Sequence, residues 1–240
     1  MSQRITLGLA MAAAVVLIAL INQFFITFIV FIALLYFTFK EAKKLFNAEN
    51  ASVFPVLIAF IIGTITTKVL LFGIIAFILV LGYLVFIKSE NLRLSFIYLY
   101  PTLPLFALWQ VYVSYGMFVL FWLVLIVAVC DTSAYFIGKK FGTTSFSQSS
   151  PNKTLEGVIA GVICASIIGA IFGVFEYNFF FALLCSFCVG VFAIIGDLFE
   201  SYLKRELGVK DSGTILGEHG GILDRIDALL FASFIMVAFL

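Results

Sequence analysis

The stretch NFFFALLCSFCVGVFAIIGDLFESYLKR, residues 178–205, sets the reading of the whole chain. From Asn178 to Gly196 it carries no charge. That is close to the roughly 20 apolar residues a helix needs to cross a bilayer. Asp197 then breaks the run, and Glu200, Ser201, Lys204 and Arg205 follow at the three- and four-residue spacing that puts them on one helical face. The segment predicts a membrane helix whose last turns leave the bilayer and carry acidic and basic groups together.

The same pattern recurs along the chain. Of the 240 residues 64% are hydrophobic and 11% charged, whereas soluble domains are about half apolar and a quarter charged. Such a composition cannot fold in water without exposing large apolar patches. Nine spans are predicted, at about 5–22, 24–39, 51–67, 69–87, 95–114, 116–137, 155–175, 178–199 and 222–240. Pro101 and Pro104 predict a kink or break in the fifth, and Gln110 and Ser114 an interior face on it. The expected fold class is all-α: a polytopic membrane protein, one membrane domain over 1–240. Residues 1–115 supply N-terminal helices, and 116–240 supply helices with polar loops at 138–154 and 200–221. The N-terminal apolar run lacks a convincing small-residue cleavage site and is expected to be a retained helix.

Charge placement orients this arrangement. With nine spans, every one of the 14 Lys and Arg residues except Lys68 falls on the side of the N-terminus. The positive-inside rule then makes that side cytoplasmic and sends the C-terminus outward. The sizeable loops lie on the cytoplasmic side, so the activity is expected there, at the inner membrane. Cys130, Cys164, Cys185 and Cys188 all sit in apolar runs. The C-x-x-C spacing of the last two lacks a soluble redox context, and packing is the better account.

The chemistry-bearing residues cluster where the eighth span ends and the ninth begins. Asp197 lies inside its apolar run, where a carboxylate is costly and faces a polar cavity or a partner. Asp224 and Asp227 open the ninth span, three apart on one face. The helices meet at one membrane surface, so the three carboxylates lie at similar depth, a donor set suited to Mg²⁺. Between them run Lys204, Arg205, Lys210, Asp211 and a glycine-rich stretch that includes Gly220 and Gly221. Lys and Arg bind phosphates, and amides at a helix N-terminus form an anion site. Acids for a metal beside cations for phosphate suit phosphoryl or nucleotidyl transfer. Each residue also has a plainer reading. Loop cations follow from topology, Asp224 or Asp227 could cap the helix or pair with Arg225, and His219 is a lone loop histidine. Asp131, in the sixth span beside Thr132 and Ser133, is a second membrane carboxylate. The segment from Ser150 to Gly157, with Lys153, reads either as a helix cap at Thr154 or Asn152 or as a substrate contact.

The segment SYLKRELGVKDSGTILGEHGGILDRID, residues 201–227, closely resembles the signature of the phosphatidate cytidylyltransferase family, with unbroken spacing. DTSAYFIGKKFG from Asp131 and SPNKTLEG from Ser150 resemble further family segments in the same order. Asn152 stands where a basic residue is common. The first 110 residues match only in being hydrophobic and multispanning. The resemblance implies CMP transfer from CTP to phosphatidic acid, giving CDP-diacylglycerol and pyrophosphate, with Mg²⁺ and a monovalent cation beside it. It implies Asp197 and Asp224 as metal ligands and catalytic residues, with Lys204 and Lys210. It implies substrate contacts at Ser201, Arg205, Asp211, His219, Gly220, Gly221, Arg225, Asp227, Asp131 and Lys153. It implies CTP, phosphatidic acid and membrane lipid as partners, no nucleic acid, and a homodimer. Competing readings are a CTP-dependent enzyme acting on another membrane lipid, a transporter, and a structural subunit. A transporter predicts acids near the bilayer midplane and polar residues on both sides, whereas here the acids gather on one side.

Overall fold

The structure is a computed structural model that describes residues 3–217 and 220–240. Among them the regular structure is helical: α1 Gln3–Ile21, α2 Phe24–Leu45, α3 Phe54–Ile65, α4 Val69–Phe86, α5 Phe96–Leu99, α6 Thr102–Phe141, α7 Leu155–Gly173, α8 Phe179–Glu206 and α9 Leu223–Phe239, with a 3₁₀ turn at Leu92–Ser95. Five helical stretches are long and apolar enough to cross a membrane: Phe24–Leu45, Val69–Phe86, Phe96–Phe141, Leu155–Gly173 and Phe179–Glu206. Gly8–Ile21 and Phe54–Ile65 are apolar but shorter. The protein is therefore an all-helical membrane protein.

Several expected boundaries move. The fifth span breaks at the prolines, as expected. Tyr100 is extended between α5 and α6, and Pro104 falls in the first turn of α6, where a missing N–H costs nothing. The fifth and sixth spans are one helical stretch with a non-helical residue at Gly116, φ 80° and ψ −174°. That backbone is open to glycine and disfavoured for other residues. The 40 residues of α6 would reach roughly 60 Å if straight, twice the hydrocarbon thickness of about 30 Å. α2 and α8 run on past the expected ends at 39 and 199. Each extension carries lysines in its last turn, Lys43 and Lys44 in α2 and Lys204 in α8, where the helix dipole favours cations. Part of the expected 200–221 loop is thus helix. Gln110 and Ser114 face the turn between α3 and α4. Gln110 binds Thr67 O, Leu70 N–H and Ser114 Oγ, tying α6 to the turn between α3 and α4.

The C-terminal half is an antiparallel series. Trp122 Nε1 donates to Gly169 O at 2.7 Å, Cys130 packs over Gly161, and Gly138 meets Thr154. α7 turns back along α8 through Gly169 against Ser186, and α8 along α9 through Cys185 against Met236. All four cysteines are free and serve packing. The α6–α7 and α8–α9 connections therefore open at the same end of the bundle.

At the other end, Trp109 and Tyr112 of α6 stack against Phe24 of α2. Near its start α6 and the preceding turn approach the C-terminal half of α2, where Phe39 packs on Tyr98. The large buried side chains Trp109, Trp122, Phe39, Phe60 and Phe106 fill the space between these helices.

Close approach of α6 and α7 requires a bare backbone at Gly161, where a Cβ would lie 2.7 Å from the Cys130 carbonyl oxygen. Small residues allow such contacts between membrane helices. Gly161→Leu is expected to lower the thermal unfolding temperature in detergent, at a cost of about 3 kcal/mol or more. Gly82→Ala, where nothing lies within 4 Å of the added atom, is expected to leave it unchanged or raise it slightly.

Candidate active site

A cavity of about 780 Å³ opens where the α6–α7 and α8–α9 connections meet. α6 contributes Asp131, Tyr135 and Lys139; the turn before α7 contributes Asn152, Lys153 and Thr154. α8 contributes Asp197 and Lys204, the following loop Asp211, and α9 Asp224, Arg225 and Asp227. Eight of the sequence-predicted residues, Asp131, Lys153, Asp197, Lys204, Asp211, Asp224, Arg225 and Asp227, thus line one volume.

Antiparallel packing explains the convergence. A Cβ on Gly196 would lie 2.6 Å from the Asp227 carbonyl oxygen, so the ends of α8 and α9 sit side by side. Asp197 and the α9 aspartates accordingly lie around one cavity at one end of the bundle. Thr154 Oγ1 accepts from Gly157 N–H at 3.2 Å and caps α7, and the loop before it carries Lys153 across to α8.

Each key carboxylate has a lysine. Lys153 Nζ pairs with Asp197, which also accepts from Ser201 Oγ at 3.3 Å. Lys204 Nζ lies 2.7 Å from Asp224 and 3.5 Å from Glu200. The Glu200 side chain is fully buried and that of Asp224 only 5% exposed. Asp224 also accepts from the backbone N–H groups of Ser212 at 2.9 Å and Gly221 at 2.7 Å. Asp224 thus organises the start of α9 and also faces the cavity.

Other expected residues stand elsewhere. Lys210 lines a second cavity of about 470 Å³ with Lys44 and Asn47, separated from the first by Asp211, which borders both. Arg205 Nη1, in the last turn of α8, donates to Val209 O in the loop that follows. Gly221 N–H is used by Asp224, and Gly220 takes a positive φ of 79° beside it. The amides that open α9 are an anion site, as the glycine pair predicts, but the chain's own carboxylates fill it. His219 lies outside the described residues.

Sequence reasoning missed Glu41. It sits on α2, 3% exposed, and accepts from Ile222 N–H at 3.0 Å, Leu223 N–H at 2.8 Å and Ser212 Oγ at 3.4 Å. The signal was present as a lone acid, Glu41, beside Lys40, Lys43 and Lys44. It read as part of a polar helix end, because nothing local shows a partner more than 170 residues away.

The fold and site together define a helical membrane protein with acids and cations gathered in a cavity at one end of the bundle. The chain belongs to the cytidylyltransferase family, whose model matches residues 2–240. It is similar to curated proteins called phosphatidate cytidylyltransferase. One from Helicobacter pylori is 38% identical over 199 residues, covering 81% of this chain and 75% of that protein. Another Helicobacter pylori strain gives 46% over 148 residues, 61% of this chain and 56% of the relative. The Bacillus subtilis protein is 41% identical over 122 residues, 49% of this chain and 45% of that protein.

Removing Lys204 strands two buried carboxylates. Lys204→Met is expected to destabilise the protein by about 3 kcal/mol, read as a lower unfolding temperature in detergent. Lys204→Arg keeps the charge and is expected to lose less.

Proposed function

We infer that this protein transfers CMP from CTP to phosphatidate, forming CDP-diacylglycerol and pyrophosphate. Membership of the family supports the reaction. The observation that carries the reading is the cavity in which Lys153, Lys204 and Arg225 stand among Asp131, Asp197, Asp224 and Asp227. A phosphate oxygen of phosphatidate attacks the α-phosphorus of CTP, a new P–O bond forms, and the bond to the departing pyrophosphate breaks. No protein nucleophile is needed. Phosphoryl chemistry of this kind depends on positioning and charge neutralisation. Lys153, Lys204 and Arg225 suit contacts to the triphosphate and to the lipid phosphate. The apolar helices flanking the cavity suit an approach of the lipid headgroup from the bilayer, with CTP coming from the aqueous side.

The residues present fit a divalent cation. Among the described residues no three His, Cys, Asp or Glu side chains form a ready metal centre. Mg²⁺ commonly takes one or two carboxylates and completes its shell with substrate phosphates and water. Asp197 and Asp224 are the two carboxylates that would hold it, each now paired with an ammonium group. The charges lining the cavity nearly balance, five carboxylates against four cations, so a polyanion such as CTP calls for added positive charge. The bound ion would neutralise charge developing on the transferred phosphate. A monovalent cation beside it and a homodimer belong to the same reading by family resemblance.

The proposed topology is nine spans with the N-terminus and the cavity cytoplasmic, in the inner membrane. Lys68 follows the Thr67 carbonyl that Gln110 binds, at the end where Trp109 and Tyr112 meet Phe24. Glu41, 17 positions on and about 25 Å along α2, reaches the site. Lys40, Lys43, Lys44, Lys153, Lys204 and Lys210 gather at the site end, which supports the positive-inside assignment. The break at Gly116 supports two passes within α6.

Purified protein with radiolabelled CTP, phosphatidate and Mg²⁺ is expected to yield CDP-diacylglycerol, to reject ATP, and to stop in excess EDTA. Asp197→Asn and Asp224→Asn are each expected to lose at least about 100-fold in turnover, roughly 2.7 kcal/mol of barrier. Each also strands a lysine, so accumulation and unfolding temperature are measured alongside. Lys43→Ala, whose ammonium bonds only Glu49 O among the contacts observed, is expected to match wild type. Full turnover in EDTA, or an Asn variant above about a tenth of wild type at saturating Mg²⁺, would remove that assignment. For topology, a reporter fused after Leu240 is expected to signal the outer side; a cytoplasmic signal overturns the nine-span arrangement.

A further inference from the structure

We propose that Glu41 is a positioning residue for nucleotide binding: from α2 it holds the segment around Ser212 and the first turn of α9 in the placement that keeps Asp224 and Asp211 on the cavity wall. The proposal rests on the CTP-dependent reading above and adds to it a residue from the N-terminal half, outside every signature segment.

Glu41 is a charged side chain buried at 3% exposure. A buried carboxylate is tolerated only with charge or hydrogen-bond partners. Its partners are Ile222 N–H, Leu223 N–H and Ser212 Oγ. Two are amides at the start of α9, which have no acceptor within the helix and carry the positive end of its dipole. Ser212 is the hinge of the arrangement: its hydroxyl donates to Glu41 while its backbone N–H donates to Asp224 at 2.9 Å. Gly221 repeats the pattern. Its N–H goes to Asp224, and a Cβ there would lie 2.5 Å from Glu41 Oε2. Gly213 is equally close, with a Cβ 2.5 Å from Glu41 Oε1. The loop thus wraps the Glu41 carboxylate on one side and presents Asp224 to the cavity on the other. Glu41 does not line the cavity and touches no reacting atom. It acts through the peptide that Asp224 also grips.

Glutamine tests the carboxylate with little change of shape. Both Glu41 oxygens accept a backbone N–H, Oε1 from Ile222 and Oε2 from Leu223. In either orientation the Gln amide therefore sets an NH₂ against an N–H. In Glu41→Gln the KM for CTP is expected to rise about tenfold, as when charge-assisted hydrogen bonds are lost, while the KM for phosphatidate stays within about twofold. Misfolding of part of the protein would lower apparent kcat and leave both KM values alone. Amide exchange in peptides covering 207–224, followed by mass spectrometry, is expected to quicken relative to wild type.

Unchanged CTP KM, an equal rise in both KM values, or unchanged exchange overturns the proposal. Should Glu41→Gln fail to accumulate, Ser212→Ala removes one bond to Glu41 and keeps the backbone bond to Asp224. It is expected to raise the CTP KM about threefold, the effect of losing one hydrogen bond, and no rise overturns the proposal. If wild type does not consume CTP, the functional reading fails, while the exchange comparison still reports whether Glu41 holds the loop.

Discussion

A carboxylate buried where a membrane protein meets water must find hydrogen-bond donors, and Glu41 finds them at the first turn of α9. Hydrogen bonds to a charged group contribute about 1.5–3 kcal/mol each, and leaving such a group unmatched costs more. This one requirement joins α2 near the beginning of the chain to α9 at its end. It also fixes Gly213 and Gly221 between α8 and α9, which pass too close to the carboxylate for any side chain. With the loop fixed, Ser212 and Gly221 aim their N–H groups at Asp224, and the cavity wall follows.

A second constraint comes from backbone proximity. α6 and α7 meet at Gly161 and Gly157, α7 and α8 at Gly169, and α8 and α9 at Gly196. Helices this close leave little freedom to slide along one another. Register along the series decides that Lys153, on the α6–α7 connection, reaches Asp197 on α8. Two connections far apart in sequence therefore close one site.

The helical membrane class and most of the charged cavity wall were legible in the sequence. Uncharged runs long enough for a bilayer announce themselves, Asp131 and Asp197 stand out because acids in such runs are costly, and Asp224 and Asp227 stand out by their spacing at the start of the ninth span. What was not legible is long-range or three-dimensional. Nothing near Lys153 shows that it pairs with Asp197, and nothing near Glu41 shows that it caps α9. Helix ends were misjudged where amphipathic turns continue beyond the apolar run, as in α2 and α8, because a hydrophobicity criterion ends where the lipid ends and the hydrogen-bond ladder does not. The pair Gly220 and Gly221 marks a helix start with free amides, but nothing local shows that the protein's own Asp224 and Glu41 take the N–H groups there.

These ion pairs bear on how the site can work. Lys153 with Asp197 and Lys204 with Asp224 leave the cavity nearly charge-balanced. Left unpaired, the largely buried charges of Lys204 and Asp224 would each cost several kcal/mol, so pairing lets the site exist before substrate arrives. Under the proposed function, a triphosphate accompanied by a divalent cation would offer each partner a replacement: phosphate oxygens for the lysines and the cation for the aspartates. Charges can then exchange partners inside the cavity without any being left bare. Phosphate without a cation would leave the aspartates unpaired as the lysines turned away, and a cation without phosphate would do the same to the lysines. On this electrostatic argument the nucleotide and the metal of the proposed function would bind more favourably together than apart, and the coupling would be reciprocal.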